Sequence, residues 1–143
     1  VYVALGLAAP VTCLDAATGE TVRVYDRTQQ ADEIVCDGDV LLVVTFDYKT
    51  ADEASAALRR GIPTTGGPRA IVAVNARTGK LLWRHSGAQT AGLMPTTLAA
   101  AGGRVLYQCG SEVVCVQRDT GKAVWHRDTK GATPKARPAK PTR

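Results

Sequence analysis

Apolar residues in this chain come in short runs, not at helical spacing. Stretches such as VLLVVTF from Val40 and AIVAVN from Ala70 are rich in Val, Leu and Ala and are bounded by Gly, Asp, Asn and Thr. Runs of that kind suit pleated strands better than amphipathic helices. They predict strands near 1–6, 11–16 and 20–25, near 32–36, 39–46, 70–75 and 80–85, and near 96–101, 104–109, 113–117 and 122–127. The fold class is therefore all-β.

The strands are ordered by a repeat. CLDAATGETVRVY from Cys13, AVNARTGKLLWRH from Ala73 and CVQRDTGKAVWHR from Cys115 align without gaps, and their glycines, Gly19, Gly79 and Gly121, lie 60 and 42 residues apart. The shorter spacing is the length of one four-stranded propeller blade. A second matching element precedes the later two copies, CDGDVLLV from Cys36 and AGGRVLYQ from Ala101, in which Gly38 and Gly103 mark a hairpin turn.

Each copy has its own turn chemistry. Asp15 and Asn75 can accept backbone N–H bonds across a tight bend, Thr18, Thr78 and Thr120 can add a hydroxyl bond, and the glycine supplies a positive φ. Gln117 is a weaker turn former, so the third copy is slightly degenerate. Four residues past the glycine stand Trp83 and Trp125, read as wedges between neighbouring blades. Arg23 holds that register in the first copy, with Tyr25 two residues on, which predicts a modified junction there.

The pattern small-x-Asp-x-x-Thr-Gly-x-x-x-Trp resembles the repeat of pyrroloquinoline-quinone-repeat, or quinoprotein-like, β-propellers. That family includes quinone-dependent alcohol and glucose dehydrogenases and an outer-membrane assembly scaffold that binds no quinone. The resemblance implies a partial β-propeller of four-stranded antiparallel blades over residues 1–127, about three blades of a longer protein. The blades are expected at about 1–25, 32–85 and 96–127, the first lacking its innermost strand. The remaining blades of the parent would be its first partners, and the resemblance implies a periplasmic or cell-envelope location.

The longer repeat spacing localises an insertion at 47–70. Within it TADEASAALRR has a capping box at Thr50 and Glu53, acids in the first turn and Arg59 with Arg60 at the end, which predicts a short helix. The GIPTTGGPR that follows is turn chemistry without phosphate-binding spacing. In a propeller the insertion shares a face with the loops 26–32 and 86–95, so Arg59, Arg60 and Arg69 are candidates for contacting a partner.

Composition changes little. Apolar residues make up 45% and charged residues 22%, enough for a core. Of the formal charge of +5, residues 128–143 supply +4, so the basic character belongs to a Pro-rich tail expected to be a linker, and no nucleic-acid partner is expected. The opening VYVALGLAAP is too short to span a bilayer and has no basic segment before it, so no transmembrane segment or signal peptide is expected. Its start inside a strand suggests truncation.

Cys13, Cys36, Cys109 and Cys115 form no CxxC pair, and Cys13 and Cys115 occupy the repeat position of Ala73, which favours small buried thiols over a disulfide or zinc. Catalytic residues are not indicated, and His85 and His126, which exchange with Arg127 and Arg84 across one blade period, read as solvated. A quinone dehydrogenase needs Ca²⁺ held by carboxylate and amide oxygens plus an Asp base near the axis. Here the inner strands offer only Asp32, Glu33, Thr96 and Thr97, without the vicinal Cys pair of the alcohol dehydrogenases. The leading expectation is a non-catalytic binding or scaffold propeller without a cofactor. The alternative is part of a quinone-dependent dehydrogenase, in which PQQ and Ca²⁺ would bind with the missing blades.

Overall fold

A computed structural model describes residues 1–6, 8–47, 56, 59–61 and 67–130. The strands are β1 (Tyr2–Ala4), β2 (Val11–Leu14), β3 (Thr21–Val24), β4 (Ala31–Asp37), β5 (Val40–Phe46), β6 (Arg69–Asn75), β7 (Leu81–His85), β8 (Leu93–Ala101), β9 (Arg104–Cys109), β10 (Glu112–Gln117) and β11 (Ala123–Asp128), with one 3-10 turn at Gly87–Thr90. They form three antiparallel sheets, β1-β2-β3, β4-β5-β6-β7 and β8-β9-β10-β11, each paired in chain order. The architecture is a partial β-propeller whose first blade has three strands.

The repeat is visible in the register. All three blades carry the same irregularity where the outer strand begins, between Cys13 and Leu14, between Ala73 and Val74, and between Cys115 and Val116. Arg23, Trp83 and Trp125 consequently oppose Cys13, Ala73 and Cys115 in matching positions. An extra residue after a glycine bend relieves the strain of a tight turn and twists the outer strand.

The inner hairpin departs from the ungapped alignment by one residue. Asp37 pairs with Val40 and Ala101 with Arg104, so the turns are Gly38-Asp39 and Gly102-Gly103, and Gly38 corresponds to Gly102 rather than Gly103. A one-residue slip reverses every side chain. Val105 and Tyr107 therefore join the cluster shared with the middle blade. A second departure is β8, which starts at Leu93 and includes Pro95. Proline is tolerated there because β8 is an edge strand and its register is broken between Met94 and Ala99.

The core is built between sheets. On β5 and β6, Val40, Leu42, Val44, Ile71 and Ala73 pack toward the third blade with Trp83, Val105, Tyr107 and Val116. The intervening Leu41, Val43, Val72 and Val74 pack toward the first blade with Val11 and Tyr25. Both faces of the middle blade are covered, which is why its central strands read as unbroken apolar runs. Each such Val or Leu contributes about 1.5–3 kcal/mol when fully buried. Among the described residues, the large exposed apolar side chains, including Val22, Val24, Val124 and Trp125, all belong to the first and last blades.

The insertion lies mostly outside the described residues, including the capping pair Thr50 and Glu53. Ala56 and Arg59 are helical, and Arg60 N donates to the Ala56 carbonyl at 3.2 Å, one helical turn. The basic tail from residue 131 onward also lies outside them, while β11 runs to Asp128 and Thr129 is tied to the Ser111 carbonyl at 2.7 Å.

Candidate functional site

The repeated bends are held by their side chains. Asp15 Oδ1 accepts the backbone N–H groups of Ala17 and Thr18, each at 2.9 Å, and Asn75 Oδ1 accepts those of Arg77 and Thr78 at 3.0 and 2.9 Å. The hydroxyls of Thr18 and Thr78 donate to the same oxygens and accept the N–H of Glu20 and Lys80. These bonds, Thr18 foremost, hold the Asp15 carboxyl below its ordinary pKa of 3.8. In the third copy the longer Gln117 takes only the Thr120 hydroxyl, at 2.8 Å.

The wedge between blades is explicit at the second seam. Trp83 is 7% exposed and its indole N–H donates to the Arg118 carbonyl at 2.6 Å, in the bend of the next blade. The ring lies over Gly121 so closely that a Cβ there would stand 2.8 Å from it. Arg118 in turn donates back to Asp37 Oδ2 at 3.1 Å, bracing the middle blade's inner turn.

At the first seam two residues divide this role. Arg23 lies over Gly79 and donates to the Thr78 carbonyl at 3.3 Å, while the Tyr25 hydroxyl donates to the Ala76 carbonyl at 2.6 Å. Ala76 and Arg118 occupy the same repeat position. The modified junction expected from Arg23 and Tyr25 thus reproduces the second seam's bond with different chemistry. Trp125, at the third wedge position, is 44% exposed.

The reading of both histidines as solvated holds for His126 and fails for His85. His126 has a side chain 74% exposed, but His85 is half-buried in the second seam, its ring tilted against Trp83 with centroids 4.7 Å apart and its Nδ1 3.1 Å from the Tyr107 hydroxyl. Burial lowers the His85 pKa from its ordinary 6.5, with the Gly121 backbone partly opposing, and pushes the Tyr107 phenol up to about 12. Beside them opens a cleft of about 280 Å³ reaching Gln89, Glu112 and His126. The burial of His85 had a sequence signal, since it occupies the repeat position of Tyr25. Arg118 had a fainter one, as the substitute for Ala16 and Ala76.

Hydrogen bonds tie down the loops at the end opposite the bends. The Thr28 hydroxyl accepts from Val11 N at 2.8 Å, Gly110 N donates to the Gly92 carbonyl at 2.9 Å, and Thr90 donates to the Arg69 carbonyl at 2.7 Å. Arg59 and Arg60 are exposed, but Arg69 is not. Its side chain is 4% exposed, bonded by Nε to Asp32 Oδ2 at 2.8 Å, with its guanidinium 4.9 Å above the Phe46 ring. The cause is position, since Arg69 begins β6, one of the two central strands of the middle blade, whose faces are both covered. Arg84 pairs with Asp47 nearby.

The family model described as outer membrane protein assembly factor BamB matches residues 1–140. The chain belongs to this family. Among solved structures, this chain superposes on a quinohemoprotein alcohol dehydrogenase from Pseudomonas putida HK5 with TM-score 0.56 and 17% identity, covering 87% of this chain and 18% of that one. A europium-containing methanol dehydrogenase gives TM-score 0.49 and 18% identity over 82% of this chain and 21% of the other. The chain thus spans about a fifth of the length of these structures, and the likeness to the alcohol dehydrogenase shows a shared fold. No curated protein sequence matches it.

A quinone and Ca²⁺ centre would need convergent oxygen donors on the inner strands. The Asp32 carboxylate is engaged by Arg69. The Thr97 hydroxyl donates to the Met94 carbonyl at 2.6 Å and accepts from Gln108 N at 2.9 Å. Among the described residues no three His, Cys, Asp or Glu side chains gather to hold a metal ion, and all four cysteines are free thiols, Cys115 buried and Cys36 exposed. Calcium needs several convergent oxygens. The donor set among the described residues does not fit that group. Among the described residues, no helix is long and apolar enough to cross a membrane.

Proposed function

We propose that the chain is a non-catalytic binding and scaffold module of a BamB-type propeller, acting at the cell envelope on a protein partner through the loop face that carries Arg59 and Arg60. One observation carries this reading. The polar side chains that recur from blade to blade are occupied in bends and seams, and the inner-strand Asp32 is neutralised by a buried arginine. A carboxylate held in such a pair has fewer oxygen lone pairs to offer a metal ion. The exposed arginines of the insertion are free of that framework and suit polar or acidic partner groups. The family description, which concerns outer membrane protein assembly, supports the same direction.

The test has two arms. Titration of the chain with pyrroloquinoline quinone and Ca²⁺ is expected to give no bound absorption band. A saturable band would replace this reading with the quinone-dependent dehydrogenase. Binding to an immobilised, unfolded outer-membrane β-barrel polypeptide is expected to weaken several-fold in the Arg59→Glu/Arg60→Glu variant, and unchanged binding would remove the loop face from the proposal.

A further inference from the structure

On the proposed reading of the insertion as a partner contact, we infer that Arg69 is its positioning residue, tying both ends of the insertion to the loops that enter and leave the middle blade. Arg69 stands where the chain returns from the insertion, paired across the ladder with Phe46, the last strand residue before it. Its side chain reaches three places. Nε donates to Asp32 Oδ2 at 2.8 Å, Nη1 donates to the Gly67 carbonyl at 3.3 Å, and the guanidinium lies 4.9 Å from the centre of the Phe46 ring. Its main-chain carbonyl accepts the Thr90 hydroxyl at 2.7 Å. One residue thus joins the entry to the middle blade at Asp32, the two flanks of the insertion, and the 3-10 turn that leads to the third blade.

Comparison of the blades shows that this arrangement belongs to the insertion and not to the fold. In the third blade the corresponding strands are joined by a two-residue turn, Gly110-Ser111, with Cys109 paired to Glu112. By register Gly110 and Ser111 occupy the places of Phe46 and Arg69. A turn needing only a glycine and a serine has thus been replaced by an aromatic ring with a buried guanidinium at the point where the longer connection begins. Neighbouring bonds close the same base. Asp47 N donates to the Pro68 carbonyl at 2.7 Å, Phe46 N donates to the Gln30 carbonyl at 3.4 Å, and Asp47 pairs with Arg84. Arg59 and Arg60 lie in the sequence between these anchored flanks. Fixing the flanks lowers the ordering cost of binding through residues between them, and it makes the two neighbouring loops part of the same surface.

Hydrogen exchange and binding together test this on the 143-residue chain. Arg69→Met keeps much of the buried volume without the donors. Its Phe46 and Asp47 amides are expected to exchange more than about tenfold faster than in the wild type, while those of β9 and β10 keep their rates. Asp32→Asn/Arg69→Met, which also removes the carboxylate left unpaired, is expected to match Arg69→Met, and Arg69→Lys, which keeps the charge but not the planar fork, to fall between. Binding to the immobilised, unfolded outer-membrane β-barrel polypeptide is expected to weaken several-fold in Arg69→Met. Adding Arg69→Met to Arg59→Glu/Arg60→Glu is expected to weaken it no further, because Arg69 acts through those residues. Unchanged exchange at Phe46 and Asp47, or a uniform rise over all strands, overturns the inference. So does unchanged binding in Arg69→Met while Arg59→Glu/Arg60→Glu weakens it, and that result leaves the loop-face reading standing. Binding indifferent to Arg59→Glu/Arg60→Glu removes that reading and the positioning role with it.

Discussion

Placing a methyl group on Gly121 and on Gly19 separates the cost of a bend from the cost of a seam. Both glycines sit in the same motif with nearly the same backbone, φ +68 and +74. Alanine at either position pays the left-handed penalty of about 1–2 kcal/mol, so Gly19→Ala should destabilise by about that much. At Gly121 the new Cβ would also lie 2.8 and 2.9 Å from Trp83 ring carbons and 3.0 Å from His85 Nε2. The ring cannot easily retreat, because its N–H is tied to Arg118 and it is buried among the apolar residues of two blades. Overpacking of this kind adds about 1–3 kcal/mol, for a total of about 2–5 kcal/mol. Urea unfolding followed by far-UV circular dichroism, at concentrations where the midpoint is independent of dilution, reads the difference. A cycle with Trp83→Leu should recover at least about 1 kcal/mol in the Gly121→Ala background, since the leucine removes the clash. Equal losses for Gly19→Ala and Gly121→Ala, or a cycle without coupling, would refute the wedge as the source of seam stability.

Two further predictions rest on the seams and the loops that join blades. The folded chain holds the His85 pKa below its ordinary 6.5, so the unfolded chain binds more protons between the two values; stability should fall as pH drops through 6.5 and level off below the folded pKa. Denaturation midpoints across pH 7.5 to about 5 should show this slope in the wild type and a smaller one in His85→Asn, and an unchanged slope would mean that other groups carry it. Arg27 and Gln30 have φ of 64 and 57, where the next blade-to-blade loop has Gly87 and Gly92 at 63 and 70. Replacing either by glycine should stabilise by about 0.5–1 kcal/mol, the left-handed penalty less the entropy that glycine loses on folding, and a drop in melting temperature would show that the arginine or glutamine side chain contributes more than its backbone costs.

Local chemistry made most of the fold legible from the residues alone. The bends at Asp15, Asn75 and Gln117 need only their own side chains and a glycine, so they form wherever that pattern occurs, and the strands between them follow from apolar runs too short for helices. The two-faced burial of β5 and β6 was likewise written in VLLVVTF and AIVAVN, because a strand covered on both sides has no polar alternate positions. What depended on the assembled sheets was every property set across a seam. The inner hairpins look aligned at Gly38 and Gly103, but hydrogen-bond pairing with the neighbouring strand sets their register, and it moved the match to Gly102. His85 resembles a surface residue by its exchange with arginine, yet the blade 36 residues downstream, at Gly121, covers it. Arg69 looked available for a partner until Asp32, 37 residues earlier, was brought beside it. Contacts between residues distant in the chain depend on how whole blades stack, and stacking is decided by the summed burial of many side chains that no short segment contains.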